Sequence, residues 1–275
     1  MSELLLIDRD HSQVALLTLN RPEKRNALSI SLMQRLIEQI HQLDCDGQTR
    51  VIILCGAGSV FCAGLDLAEA QDASLVEQSA DCVAQTLRAL KFSGLVSIAA
   101  VHGGAYAGGA GLVAACDIAV GSSDCHIGFP EARRGLLPAL ICDVLCTKLN
   151  EGDLTELFLV GEPIGAQRAH MLGLLQRVVE PECVLQEAFR LAKGILAGGP
   201  QTIRDTKNLL HAAYRHRSSE HGSTHVASEE SIGASQETLV GHSVKEHLRA
   251  RFSPEATEGL KAFLEKRPPS WMANR

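Results

Sequence analysis

Apolar residues recur three and four positions apart between Ser29 and Leu43, at Leu32, Met33, Leu36, Ile37, Ile40 and Leu43. That period puts them on one side of an amphipathic helix, with Ser29 or Ser31 placed to cap its start. Elsewhere the apolar runs are short. Val14 to Asn20 mixes β-branched and apolar residues and reads as a strand ending at Arg21-Pro22. Val51 to Cys55 is a buried strand closed by Gly56-Ala57-Gly58, and Val96 to Val101 is another. Between them a polar loop leads into a helix over about Leu75 to Leu90. Ile118-Ala119-Val120 is strand-like. Strands separated by helices make the fold class α/β.

Helical patterns dominate from about Leu154, with Pro181 to Leu196 and Gln201 to Ala213 both fitting helices. Residues 215 to 243 are polar, rich in Ser, His, Glu and Gly, and weakly periodic, so a mobile loop or poorly ordered insertion is expected there. Ser253 followed by Pro254 marks the start of a last helix.

The 275 residues are 45% hydrophobic and 21% charged, enough for a sizeable core. The net charge of -6 offers no global attraction to nucleic acid or an anionic membrane. The first residues show no signal-peptide pattern. No uncharged apolar run reaches the roughly 18 residues of a membrane span, and a cytoplasmic location is expected. The nine cysteines include no Cys-x-x-Cys pair, so buried reduced thiols are expected rather than zinc ligands or disulfides. Six of the eleven histidines fall between His211 and His247, in a polar setting without a recognised zinc spacing, which reads as solvated.

Two loops carry candidate chemistry. One is Phe61-Cys62-Ala63-Gly64-Leu65-Asp66-Leu67. The other is Ala107-Gly108-Gly109-Ala110-Gly111, ahead of an expected helix. Small residues let backbone approach a ligand closely. N–H groups at a helix start lack intrahelical acceptors and stabilise an oxyanion. One such donor is worth roughly 3–4 kcal/mol in a transition state. Either loop alone would read as a tight turn. A dinucleotide-binding glycine motif and a Walker phosphate loop are both absent.

Taken in order, Asn20 to Leu28, Phe61 to Leu67, the Gly108-Gly109 loop through Cys116-Asp117-Ile118, Phe129-Pro130-Glu131 and Gly135 to Pro138 resemble the crotonase (enoyl-CoA hydratase/isomerase) superfamily. The stretch Glu258 to Arg267 resembles that family's last helix. Gly108 to Leu112 with Pro138 to Ile141 is similar to the branch acting on methylglutaconyl- or isohexenylglutaconyl-type thioesters. The resemblance implies a spiral of β-β-α turns over residues 1–200 and a helical C-terminal region over 201–275. It also implies assembly as a homotrimer or a dimer of trimers.

By position, the amides of Leu65 and Gly108 would hold the thioester oxygen as it becomes an enolate, and Glu131 would move the proton. Lys24, Arg25, Ala27, Ala63, Asp66 and Leu67 would line the coenzyme A site, with Phe263 and Lys266 reaching its adenine and phosphates. No metal or separate cofactor is implied, coenzyme A being part of the substrate.

One position departs from the family pattern. Hydratases of the family commonly carry a second Glu three residues beyond the oxyanion glycine, and here that residue is Gly111. Water addition to a 2-enoyl-CoA with Glu131 alone is the leading expectation. Δ3,Δ2-enoyl-CoA isomerisation, which needs one base, is the alternative; a thioester hydrolase or decarboxylase ranks below both. A catalytically inactive coenzyme A-binding scaffold is the reading from another class. Asp66, Asp117 and Asp143 are candidates for a second acidic group, each with a turn or capping role as the simpler explanation.

Overall fold

The computed structural model describes residues 3–11, 13–222, 241 and 243–272. It separates into two compact units, Met1–Lys193 and Gly194–Arg275. The strands of the first are β1 (Leu5–His11), β2 (Val14–Leu19), β3 (Val51–Gly56), β4 (Val96–Val101), β5 (Gly104–Tyr106), β6 (Ile118–Ser122), β7 (His126–Gly128), β8 (Ile164–Gly165) and β9 (Arg177–Val179). One sheet has the order β1-β2-β3-β4-β6-β9; a smaller one has the order β5-β7-β8. Among the described residues only β1 with β2 and β7 with β8 pair antiparallel. From β2 to β9 the large sheet is parallel. Parallel strands are covered on both faces, which explains why β3 and β4 read as unbroken apolar runs instead of alternating ones.

The helices are α1 (Ile30–Cys45), α2 (Leu67–Ala70), α3 (Val76–Phe92), α4 (Gly108–Ala115), α5 (Ala139–Cys146), α6 (Glu151–Val160), α7 (Ala166–Met171), α8 (Val184–Leu196) and α9 (Pro200–Gly222). A further helix spans Pro254–Leu264, with Ser253 at its N-cap accepting from the Ala256 N–H at 3.0 Å. Ser29 caps α1 in the same way, accepting from Leu32, and Glu69 accepts the Ile30 N–H at 2.8 Å. The α1 stripe Leu32, Met33, Leu36, Ile40 and Leu43 is fully buried, each side chain contributing roughly 1.5–3 kcal/mol. Among the described residues no helix is long and apolar enough to cross a membrane.

One expectation needs correcting. Residues 215–222 are not a loop but continue α9 to Gly222. Polarity does not by itself end a helix, and from Tyr214 to His221 there is no Gly or Pro. The expected mobile stretch otherwise falls largely on residues 223–240 and 242, outside the described residues. Five of the nine cysteines are buried, whereas Cys45 and Cys146 are exposed.

Candidate active site

Three segments run side by side in the same direction. Cys62 bridges Ala105 of β5 in parallel, and β5 pairs in parallel with β7. The hydrogen bonds Cys62 N–H to Gly104 O (3.2 Å) and Tyr106 N–H to Cys62 O (3.0 Å) fasten the first pair. Tyr106 lies opposite Gly128, and Ala107 N–H donates to Gly128 O at 2.9 Å. The three segments therefore leave this ribbon at a common end. Leu65 follows the first, Gly108 the second and Glu131 the third. Leu65, Gly108 and Glu131 thus each lie two or three residues beyond that end of the ribbon.

The first two segments touch. A Cβ placed on Gly64 would lie 2.9 Å from Tyr106 O and 3.6 Å from the Gly108 nitrogen; one on Gly109 would lie 2.5 Å from Cys62 O. Only glycine permits that approach, and Gly64 also has φ +93°. Among the described residues, neither the Leu65 nor the Gly108 N–H donates to an acceptor in the fold. Gly108 is the first residue of α4, where N–H groups have no intrahelical partner. Ala107 just before it has φ 49° and ψ −121°, a strained setting for a residue with a Cβ. It turns the chain from β5 into the helix.

Glu131 is 9% exposed, and its Oε2 is buried without a hydrogen-bond partner among the described residues. Burial pushes its carboxyl above the ordinary range, against the opposing pull of its own amide and of Arg134. A desolvated carboxylate with a free oxygen is what proton transfer requires. Its loop is anchored by Phe129, which is fully buried and packs edge-on against Phe158 with ring centres 5.5 Å apart. Arg133 donates to Val160 O at 2.8 Å on the other side.

The early loop joins the same cluster. Ala63 N–H donates to Arg25 O at 3.0 Å, Leu28 N–H to Gly64 O at 2.8 Å, and Asp66 N–H to Leu28 O at 3.1 Å. Lys24 and Arg25 are exposed cations beside this pairing, Ala27 is buried, and Leu67 is 56% exposed. Asp66 pairs with Arg21 at 2.8 Å and caps α2 through the Ala68 N–H. Partial burial raises its carboxyl, but Arg21, the Ala68 amide and Lys24 outweigh this, and it stays below the ordinary range. Phe263 and Lys266 belong to the second unit, where Phe263 is 80% exposed.

One of the other acidic candidates has a structural engagement. Asp117 accepts from the Ser97 N–H at 2.8 Å and its hydroxyl at 3.0 Å, tying β6 to β4. Asp143 is exposed on α5. At Gly111 a Cβ would stand 2.5 Å from Ile141 Cγ2 and 3.4 Å from Leu87 Cδ2. Hydrocarbon fills the space a second acidic side chain would need.

The sequence reading passed over Asn26, which is fully buried. Its Nδ2 donates to Ala57 O (2.8 Å), Val60 O (2.9 Å) and Phe61 O (3.2 Å), and its Oδ1 accepts from the Arg21 N–H (2.9 Å). It fastens the Arg21–Leu28 loop to the segment leading into Leu65. An asparagine within a basic loop looks solvated in sequence, and only its position inside the quoted motif pointed to it.

A family model described as enoyl-CoA hydratase/isomerase matches residues 9–274. The chain belongs to this family. A crystal structure of an enoyl-CoA hydratase from Mycobacterium smegmatis is 32% identical, covers 99% of this chain and 100% of its own, and has a TM-score of 0.83. One from Bacillus anthracis is 27% identical, with a TM-score of 0.86 over 97% of this chain and 98% of its own. A mevalonyl-coenzyme A hydratase of Aspergillus fumigatus is 30% identical over 95% of this chain and 92% of its own length. A 2,3-dehydroadipyl-CoA hydratase of Escherichia coli is 29% identical, with 98% and 99% covered. The enoyl-CoA hydratase/isomerase fold expected from the motifs is therefore the fold of this chain, and the family acts on acyl-CoA thioesters.

Proposed function

We propose that the protein hydrates a 2-enoyl-CoA thioester, using the amides of Leu65 and Gly108 for the oxyanion and Glu131 for both proton transfers. The Glu131 carboxylate takes a proton from water as the water oxygen bonds to the β-carbon. The displaced π electrons move onto the thioester oxygen, where the two amide dipoles stabilise the charge. The enolate then collapses and Glu131 returns its proton to the α-carbon. A carboxylate whose pKa is raised by burial is the stronger base and takes the proton from water more readily than a solvated one. The buried, unpartnered Oε2 of Glu131 carries this reading, and the two amides that donate to nothing in the fold support it. The hydratase names of the relatives support water addition. The resemblance of Gly108–Leu112 and Pro138–Ile141 supports a branched glutaconyl-type acyl group.

Lys24 and Arg25 would meet coenzyme A phosphates, with Ala27, Ala63, Asp66 and Leu67 along its path. Phe263 and Lys266 would meet its adenine and phosphates within a homotrimer or a dimer of trimers.

A second reading, Δ3,Δ2-enoyl-CoA isomerisation, is favoured by Ile141 filling the space beside Gly111. There Glu131 would take the α-proton and deliver it to the γ-carbon. Incubating the protein with 2-enoyl- and 3-enoyl-CoA panels in deuterated water, beside Glu131→Gln, separates the two. Oxygen added to the β-carbon is the expected product. Double-bond migration without added oxygen selects isomerisation. Coenzyme A binding with no turnover of any panel member selects the scaffold reading.

A further inference from the structure

Helix α5 carries two thiols four residues apart, Cys142 and Cys146, with their sulfurs 3.7 Å from each other. Residues at that spacing share one helical face. Cys142 is half-buried and Cys146 exposed. Cys146 also lines an open cavity of about 420 Å³ with Leu149, Leu154 and Phe158. It is the last residue of the helix, where the turn is held on one side by the Thr147 hydroxyl donating to Val144 O at 2.8 Å.

We propose that Cys142 and Cys146 form a reversible dithiol–disulfide couple, oxidised by a hydroperoxide and reset by a thiol reductant. With hydrogen peroxide, the Cys146 sulfur takes one oxygen as the O–O bond breaks. Water leaves and a sulfenic acid remains. The Cys142 sulfur then attacks the oxidised sulfur, the S–O bond breaks, and a second water leaves. Two thiols and one peroxide thus give one disulfide and two waters. In a regular helix, β-carbons four residues apart lie about 5–6 Å from each other, whereas a disulfide brings them to about 3.5–4.5 Å. Bridging must therefore draw in the final turn of α5, the end where a helix yields most easily. The same helix bears Ile141, packed into the space beside Gly111 of α4, and α4 begins at Gly108. Oxidation then shifts the donor at Gly108. This last consequence rests on the function proposed above; the couple itself does not.

The test uses the full chain carrying Cys45→Ser, which removes the other exposed thiol. The protein is treated with hydrogen peroxide and digested with trypsin without reduction. The peptide Gly135–Lys148 holds both cysteines. The expected result is loss of two hydrogens from its mass, restored by dithiothreitol. Cys142→Ser should instead leave a sulfenic acid at Cys146 that dimedone traps. A sulfenic or sulfinic acid at Cys146 in the presence of Cys142, or a bridge to a second molecule, would overturn the couple. Phenylarsine oxide, which condenses with two adjacent thiols, controls for access: capture by it without disulfide formation under peroxide also overturns the couple. Turnover of an acyl-CoA substrate before and after oxidation is read separately. A formed bridge with unchanged turnover removes the link to α4 and leaves the couple standing. Absence of turnover before oxidation counts against the proposed function alone.

Discussion

Replacing Gly109 by alanine tests whether the close approach of two segments creates the oxyanion site. The new Cβ would lie 2.5 Å from the Cys62 carbonyl oxygen and 2.8 Å from the Cys62 Cβ. Carbon–oxygen contacts settle near 3.3–3.6 Å, so the segments must part by about 1 Å. The obstructing atom is backbone held by bonds to β5, and no side-chain rotation relieves it. Overpacking of this kind costs about 1–3 kcal/mol, which a domain stable by roughly 5–15 kcal/mol survives. Catalysis should not survive it as well. A misplacement of about 1 Å costs on the order of 10²-fold in rate, and loss of one oxyanion donor up to about 10³-fold. Gly109→Ala is therefore expected to fold, with kcat/KM lowered by about 10²–10³-fold. Steady-state kinetics on the reactive enoyl-CoA, with thermal melts in parallel, measure both. Gly152→Ala on α6, where nothing lies closer to the new Cβ than Asn150 Oδ1 at 3.5 Å, is the control and should leave activity unchanged. Wild-type kcat/KM in Gly109→Ala would show that the paired amides are not the source of rate.

Glu131→Gln should lower turnover by about 10²–10⁴-fold, read in the same assay. Because burial raises the Glu131 carboxyl, the acid limb of kcat/KM should fall above the ordinary carboxylate range, and a pH–rate profile locates it. The stability effect has the opposite sense. As pH rises the unfolded chain releases this proton first, so the folded state loses stability across the window from the ordinary to the raised value. Glu131→Gln should thus melt higher than wild type at neutral pH and equally in acid below that window; melts at several pH values check it. Asn26→Ala orphans three carbonyls and one amide in a buried site and should cost about 3–5 kcal/mol by urea unfolding. An exposed asparagine would cost almost nothing. Gly111→Glu drives carbon into Ile141 and should cost about 1–3 kcal/mol, a loss smaller in an Ile141→Ala background by double-mutant melts.

Long periodic elements were legible in the sequence. Helix α1 occupies Ile30–Cys45 against an expected Ser29 to Leu43, and β4 matches Val96–Val101. The strands that assemble the site were not. β5 and β7 are three residues each, with glycine in both, so neither alternation nor a buried run distinguishes them from loop. Their pairing with Cys62 is a contact across sequence that no local pattern encodes. Motif order singled out Leu65, Gly108 and Glu131, but the ribbon from which their three segments emerge was not legible. The strained φ of Ala107 was equally hidden, since alanine carries no sequence mark of a left-handed turn. For Asp66 the capping explanation was the right one for its side chain.

The fit of Ile141 against Gly111 bears on how this chain could change its chemistry over generations. Installing an acidic residue at 111 first means crowding the core; trimming Ile141 first means opening a void worth about 2–5 kcal/mol. Each order passes through a weakened intermediate, although the pair exchanged together need not be. The choice of how many acids serve the enolate is thereby stored in a helix–helix contact, and it resists drift one substitution at a time.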